Sequence, residues 1–272
     1  MYICIDVGGT KTLVAVVNEK GGIVESKKVP TSTDYPQFLE DVKQIISEFE
    51  NQDYIAGTIG LPDIMLNRET GVAIAFGNLQ WRNVNIAANI ETITNCQIFI
   101  ENDAKLAGLS ESMLVRDQYS KVLFITVSTG IGYSLIENQK IDISVGDGGG
   151  RIFLVNRDGE MVPWESFASG RAIVEEYGKM AKDISDDETW SKVTHNIAMG
   201  LIDLISIFMP QVVIVGGSVG NYFYKYDELL RNALLEYNIP NLVMPDLKGA
   251  ERANEAVIYG CYDFTKQKLN NA

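Results

Sequence analysis

A chain of 272 residues, 46% of them hydrophobic and 22% charged, is long enough for two cores of about 100–150 residues each. Its 23 basic residues against 36 acidic ones leave a formal charge of −13, which repels phosphate backbones and anionic lipid and excludes nucleic acid and membrane surfaces as main partners. Three scattered cysteines and the single His195 exclude zinc sites of the usual Cys/His spacing and suit a reducing cytoplasm, and neither a signal peptide nor a run of about 18 apolar residues is present.

In chain order, Tyr2 to Val7 reads as a buried strand, apolar except for Asp6. The Gly8-Gly9 turn leads to a second strand, Thr12 to Val17, and Gly21-Gly22 marks a hairpin into Ile23 to Lys28. A helix starts near Pro36 and carries Phe38, Leu39, Val42, Ile45, Ile46 and Phe49 at helical spacing. Gln97 to Ile100 is a short strand, followed by a helix over Asn102 to Ser112. Residues 121–140 then lie over residues 1–20 at a constant offset of 120 without a gap, matching Ile5 with Ile125, Val7 with Val127, Asn18 with Asn138 and Lys20 with Lys140. Such a repeat points to duplication of one strand–turn–strand unit and a two-lobed α/β fold with a cleft between the lobes. Glu188 to Phe208 reads as a long helix, Gln211 to Val215 as a buried strand ending in Gly216-Gly217, and Asn254 to Leu269 as a terminal helix. The expected division is 1–113, joined by the terminal helix from 253 to 272, and 114–252.

Three places carry residues suited to phosphate chemistry. In Asp6-Val7-Gly8-Gly9-Thr10-Lys11 the glycines let backbone N–H groups approach a phosphate, Thr10 adds a hydroxyl and Lys11 a charge. Asp6 within an apolar strand is costly to bury unless hydrogen bonds or a cation compensate, and a hydrated Mg²⁺ would do so. A plain hairpin explains the two glycines alone. The second copy, Ser128-Thr129-Gly130-Ile131-Gly132, replaces the acid with Thr126 and keeps a small hydroxylated turn, as a facing grip on the far phosphates requires. Asp103, in Glu101-Asn102-Asp103-Ala104, sits at a helix N-terminus, where the macrodipole favours an ionised carboxylate able to accept a proton. On local pattern alone, a simple N-cap accounts for the same residues.

These motifs, in this order, resemble those of the ROK family, which comprises sugar kinases and related repressors. D-V-G-G-T-K at 6–11 and S-T-G-I-G at 128–132 resemble its two phosphate loops, and E-N-D-A at 101–104 its catalytic segment. Glu165-Ser166-Phe167-Ala168-Ser169-Gly170 is similar to its E-x-x-A-S-G, Val213 to Gly217 to its adenosine-side strand, and Asn78-Leu79-Gln80-Trp81 to an N-x-x-W segment lining the sugar. The resemblance implies an actin-like ATPase (ribonuclease H-like) fold with a duplicated βββαβα core and an ATP-dependent sugar kinase. It implies Asp103 as general base, with Asn78, Asn102, Asp147 and Glu165 on the sugar. It places Asp6, Gly8, Gly9, Thr10, Lys11, Ser128, Thr129, Gly130, Gly216 and Gly217 around Mg-ATP, Asp6 reaching the metal through water. A cytoplasmic homodimer is expected from the same resemblance.

The chain also departs from the family. Asp147-Gly148-Gly149-Gly150 stands where many members carry E-x-G-H, and the family's cysteine cluster is missing, so no structural zinc is expected. The glycine run reads as a flexible loop. Leu61-Pro62-Asp63 replaces a usual Pro-Gly. These changes fall on the sugar side, so the acceptor is a hexose or amino sugar of undefined identity, and the donor is ATP or polyphosphate. The competing reading is an inactive sugar-binding or regulatory protein. Against it stand Asp6, Thr10, Asn102, Asp103 and Glu165, all kept, and a phosphate loop that begins at residue 6, too early to leave room for a DNA-binding domain.

Overall fold

Tyr2–Val7, apolar at every position but one, forms strand β1 of the computed structural model, which describes residues 1–77, 79–252 and 254–270. The chain divides into two units, Met1–Ser110 with Glu255–Ala272, and Glu111–Asn254.

In the first unit β1 turns into β2 (Lys11–Val17) and then β3 (Ile23–Pro30). Gly21 takes φ +84 between them, a conformation that favours glycine. Helix α1 (Tyr35–Glu48) opens with Asp34 accepting the Gln37 N–H and Pro36 in its first turn. Its buried Phe38, Val42, Ile45 and Ile46 share a core with Ile3, Ile5, Val7, Val14 and Val16. After β4 (Ala56–Leu61) come β5 (Asp63–Asn67), β6 (Val72–Phe76) and β7 (Arg82–Val84), a small antiparallel sheet, and α2 (Ile86–Thr94). Strand β8 (Gln97–Asn102) closes the main sheet in the order β3-β2-β1-β4-β8 and runs directly into α3 (Asp103–Leu114).

The second unit repeats this plan with β9 (Lys121–Val127), β10 (Ile131–Glu137) and β11 (Lys140–Ile141). Next come α4 (Gly149–Ile152), a hairpin of β12 (Leu154–Arg157) and β13 (Glu160–Pro163), α5 (Glu165–Ala168) and α6 (Gly170–Tyr177). Helix α7 (Asp187–Phe208) is capped by Asp186 and buries Val193, Ile197, Leu201 and Ile205 along one face. β14 (Val212–Gly216), α8 (Gly217–Gly220), α9 (Asp227–Leu235) and β15 (Asp246–Gly249) complete the order β11-β10-β9-β14-β15. The chain then returns to the first unit as α10 (Ala256–Asn270), which lies on β1 and β4. Two five-stranded sheets of one order, the first three strands antiparallel and the last two pairs parallel, make the actin-like duplication.

Two expectations change. In the first hairpin Val7 pairs with Thr12, but in the second Val127 pairs with Ile131, so the second turn is one residue shorter. The gap-free overlay therefore holds along β9 and fails in the pairing of β10, where a one-residue slip exchanges the two faces of the strand. The glycine run is not a flexible loop. Gly149 and Gly150 are buried at the start of α4, and a Cβ on Gly149, which has φ +53, would meet the Ile131 carbonyl and the Gly132 backbone.

Candidate active site

Strands β1, β4 and β8 are parallel, and Asp6, Gly60 and Glu101 lie in one row across them. Two strand spacings put Asp6 and Glu101 about 10 Å apart at the carboxyl edge of the sheet, where ligands bind in open α/β sheets. The first turn and the Asn102-Asp103 segment thus share an edge.

At that turn the Gly8 N–H donates to the Lys11 carbonyl at 2.9 Å. Among the described residues the Gly9 and Thr10 N–H groups have no acceptor. Asp6 is half-buried and its carboxyl accepts no hydrogen bond there. Desolvation pushes its pKa up to about 6, against the pull of the Lys28 charge. Lys28 and Leu13 continue the row from Asp6, since Leu13 pairs with both. Thr10 and Lys11 are exposed.

The Glu101 carboxylate is fully buried and gripped by Arg68, whose Nε reaches Oε2 at 2.9 Å and Nη2 reaches Oε1 at 2.6 Å. Oε1 also accepts the Asn102 N–H at 2.7 Å. Asn102 caps α3, its Oδ1 accepting the Lys105 N–H at 3.1 Å. Asp103 is the first helical residue, and its Oδ1 accepts the Ala104 N–H at 2.7 Å. Cap and candidate base are thus different residues. Arg68 and Glu101 fix the strand end from behind, a role the sequence reading missed because 33 residues separate them. Asn78 lies outside the described residues. Its neighbours in that segment are Leu79 and Trp81. Both are buried, and Trp81 donates to the Thr33 carbonyl at 3.0 Å amid Tyr35, Phe38 and Phe76.

In the second unit the Ser128 N–H donates to Gly130 at 2.8 Å, and the Gly170 N–H at the start of α6 donates to Ser128 at 2.6 Å. Glu165 comes close to Gly130, its Oε2 accepting the Ile131 N–H at 3.2 Å and its Oε1 lying 3.7 Å from Arg171. A Cβ on Gly130 would stand 2.5 Å from Glu165 Oε2, so only glycine leaves the carboxylate there. Asp147 is half-buried just before α4.

Thr126 pairs with Gly216, which brings the end of β14 beside Ser128. There a groove of about 340 Å³ opens, walled by Thr129, Arg171, Met180, Lys182, Ser218 and Tyr222 among others. Gly216 and Gly217 lie beneath it rather than in its walls. Gly216 faces the Phe124 ring, and Gly217, at φ +83, leaves a Cβ only 2.5 Å from the Val127 carbonyl. Their smallness seats Ser218, whose hydroxyl lies 3.3 Å from that of Ser128. Ser218, Arg171 and Lys182 escaped the sequence reading, having no motif of their own. Ser128 and Thr129 of the second turn and the Gly170 at the end of E-x-x-A-S-G were the parts of this wall that carried a motif.

No described helix is long and apolar enough to cross a membrane. The chain is similar to a glucokinase of Streptomyces coelicolor, at 24% identity over 98% of each protein. It is also similar to an N-acetyl-D-glucosamine kinase of Haemophilus influenzae, at 26% identity over 96% of this chain and 97% of that one. Its fold is that of a ROK family glucokinase from Streptomyces griseus, determined with glucose and AMPPNP. The TM-score is 0.81 and the identity 23%, covering 98% of this chain and 99% of the other. The model of the ROK family matches residues 2–268, and this chain belongs to that family.

Proposed function

We propose that the chain transfers the γ-phosphoryl group of ATP to a hydroxyl of a hexose or amino sugar. The observation that carries this reading is Asp6, a half-buried carboxylate without a hydrogen-bond donor among the described residues, ahead of two backbone N–H groups that lack acceptors. A hydrated cation relieves the first and phosphate oxygens the second, so these residues fit a magnesium-bound nucleotide. When bound, Mg-ATP supplies the phosphorus under attack and neutralises charge on the transferring group.

The chain's own residues divide the remaining work. Asp6 would hold the metal through water, and Gly9, Thr10 and Lys11 would present N–H, hydroxyl and ammonium groups to the phosphates, with Gly8 shaping the turn through its N–H bond to the Lys11 carbonyl. Ser128, Thr129 and Gly130 offer a second small turn. The groove beside it has apolar walls in Val174, Met180, Ala181 and Val219 and cations in Arg171 and Lys182. Those walls suit a nucleoside better than bare polyphosphate. Asp103 accepts the proton of the attacking hydroxyl. Its carboxylate is held by the Ala104 N–H at the positive end of α3, which favours the ionised form a base needs. Asn102, Asp147 and Glu165, with Asn78, serve as contacts to the sugar hydroxyls.

A screen of ADP release tests this, with hexoses and N-acetylhexosamines as acceptors and ATP or polyphosphate as donor. Release from ATP that depends on one acceptor class is the expected result. Sugar binding without turnover of either donor would favour the non-catalytic reading instead.

A further inference from the structure

Thr31 lies immediately beyond β3, distant in sequence from the first turn, and touches that turn from behind. Its N–H donates to the Thr10 carbonyl at 3.0 Å. Its hydroxyl donates to the Gly8 carbonyl at 2.8 Å and lies 2.9 Å from the hydroxyl of Thr12, which is fully buried. A hydroxyl carries one proton, and that of Thr31 is committed to Gly8. Thr12 is therefore the donor to Thr31, and the chain of hydrogen bonds runs one way, from Thr12 through Thr31 to Gly8.

This clamp has a directional consequence. In a planar trans peptide the carbonyl and the following N–H point opposite ways. Drawing the Gly8 carbonyl toward Thr31 turns the Gly9 N–H away from it, and holding the Thr10 carbonyl fixes the peptide plane on the other side of the turn. The turn's two outer planes are thus set by one residue, the first aiming the Gly9 N–H and the plane between them carrying that of Thr10. A glycine-rich turn has many conformations to lose on binding an anion, so fixing two planes beforehand lowers that cost. Among the described residues, no bond from the third strand to the second turn's carbonyls corresponds to this one. There the Gly170 N–H of α6 holds Ser128 instead.

We infer that Thr31 is a positioning residue for the donor phosphates, acting through the Gly8 and Thr10 carbonyls to aim the turn's backbone donors. This presupposes a phosphate donor at the turn, as proposed above.

Thr31→Val keeps the β-branched shape and removes the hydroxyl, whereas Thr31→Ser keeps the hydroxyl. With Mg-AMPPNP as the probe in calorimetry, Thr31→Val is expected to weaken binding about tenfold, and Thr31→Ser to stay within about twofold of the parent. The KM for the sugar should not move in either. Unchanged affinity in Thr31→Val, or an equal loss in Thr31→Ser, overturns the role. If Thr31→Val does not fold, Thr12→Val, which leaves Thr31 bonded to Gly8 but without its donor, takes its place. It is expected to weaken the probe about threefold, and unchanged binding would count against the clamp. Asp103→Ala measured in parallel separates the two levels. Lost turnover there with unaffected Thr31 variants removes only the clamp, while retained turnover removes the kinase mechanism itself.

Discussion

The two units share one sheet order but build their first hairpins differently. In the first, Asp6 precedes a turn in which Val7 pairs with Thr12, and Thr31 holds the carbonyls. In the second, Thr126 takes the place of the acid, the turn is one residue shorter, and the hold comes from the Gly170 N–H. The difference teaches how two copies of one scaffold come to carry turns of different chemistry, one with a carboxylate and one without. A carboxylate beside a turn suits a cation, whereas a neutral turn suits an anion, which a negative charge would repel.

Breaking the first unit's edge should have the largest effect on stability. Arg68→Ala leaves the buried Glu101 carboxylate without its guanidinium and is expected to cost about 3 kcal/mol in urea unfolding. Adding Glu101→Gln should return part of that loss. A second variant without any return would mean that Arg68 acts by packing alone.

Asp6 gives the next effect, and it depends on pH. Its folded pKa of about 6 lies above the ordinary 3.8, so protonation favours the folded, metal-free protein. That contribution is complete below pH 3.8 and is lost as pH rises through 6. Metal-free Asp6→Asn should therefore be more stable than the parent above pH 6, by about 2 kcal/mol after allowance for partial exposure, and equal to it near pH 3. Thermal melts across that range check the sign. The same variant should bind Mg-nucleotide more weakly, so stability and function move in opposite directions.

In the second unit Gly217→Ala must place a Cβ at φ +83 against the Val127 carbonyl and should cost about 1–2 kcal/mol. Nucleotide affinity should fall with it, because Ser218 is displaced. The smallest effect belongs to Asp186, whose pKa is lowered to about 2 by its hydrogen bonds to Thr189 at the start of α7. Asp186→Ala should lower Tm slightly at pH 7. The gap should close as pH falls from 4 toward 2, the reverse of the trend at Asp6.

Much of this was legible in the sequence. Buried strands such as β1 and β14 are nearly all apolar, and α7 carries its core residues at helical spacing, so their places could be read directly. The residues of both turns were equally plain as turns, although a simple hairpin would have explained their glycines as well. The shortened second turn was not, because similarity along β9 says nothing about pairing in β10. The burial of Trp81 among Tyr35, Phe38 and Phe76 was not legible either, since these aromatic rings meet only through tertiary packing. Thr31, Arg68 and Ser218 reach their sites through tertiary contacts and leave no local pattern.

The most direct test of the central claim is Asp103→Ala, with Mg-AMPPNP affinity and sugar-dependent ADP release measured on the same preparation. A base held at the head of α3, apart from the phosphate turn, predicts affinity within about twofold of the parent and turnover lower by a factor of about 10³ or more. Turnover close to that of the parent protein would contradict it.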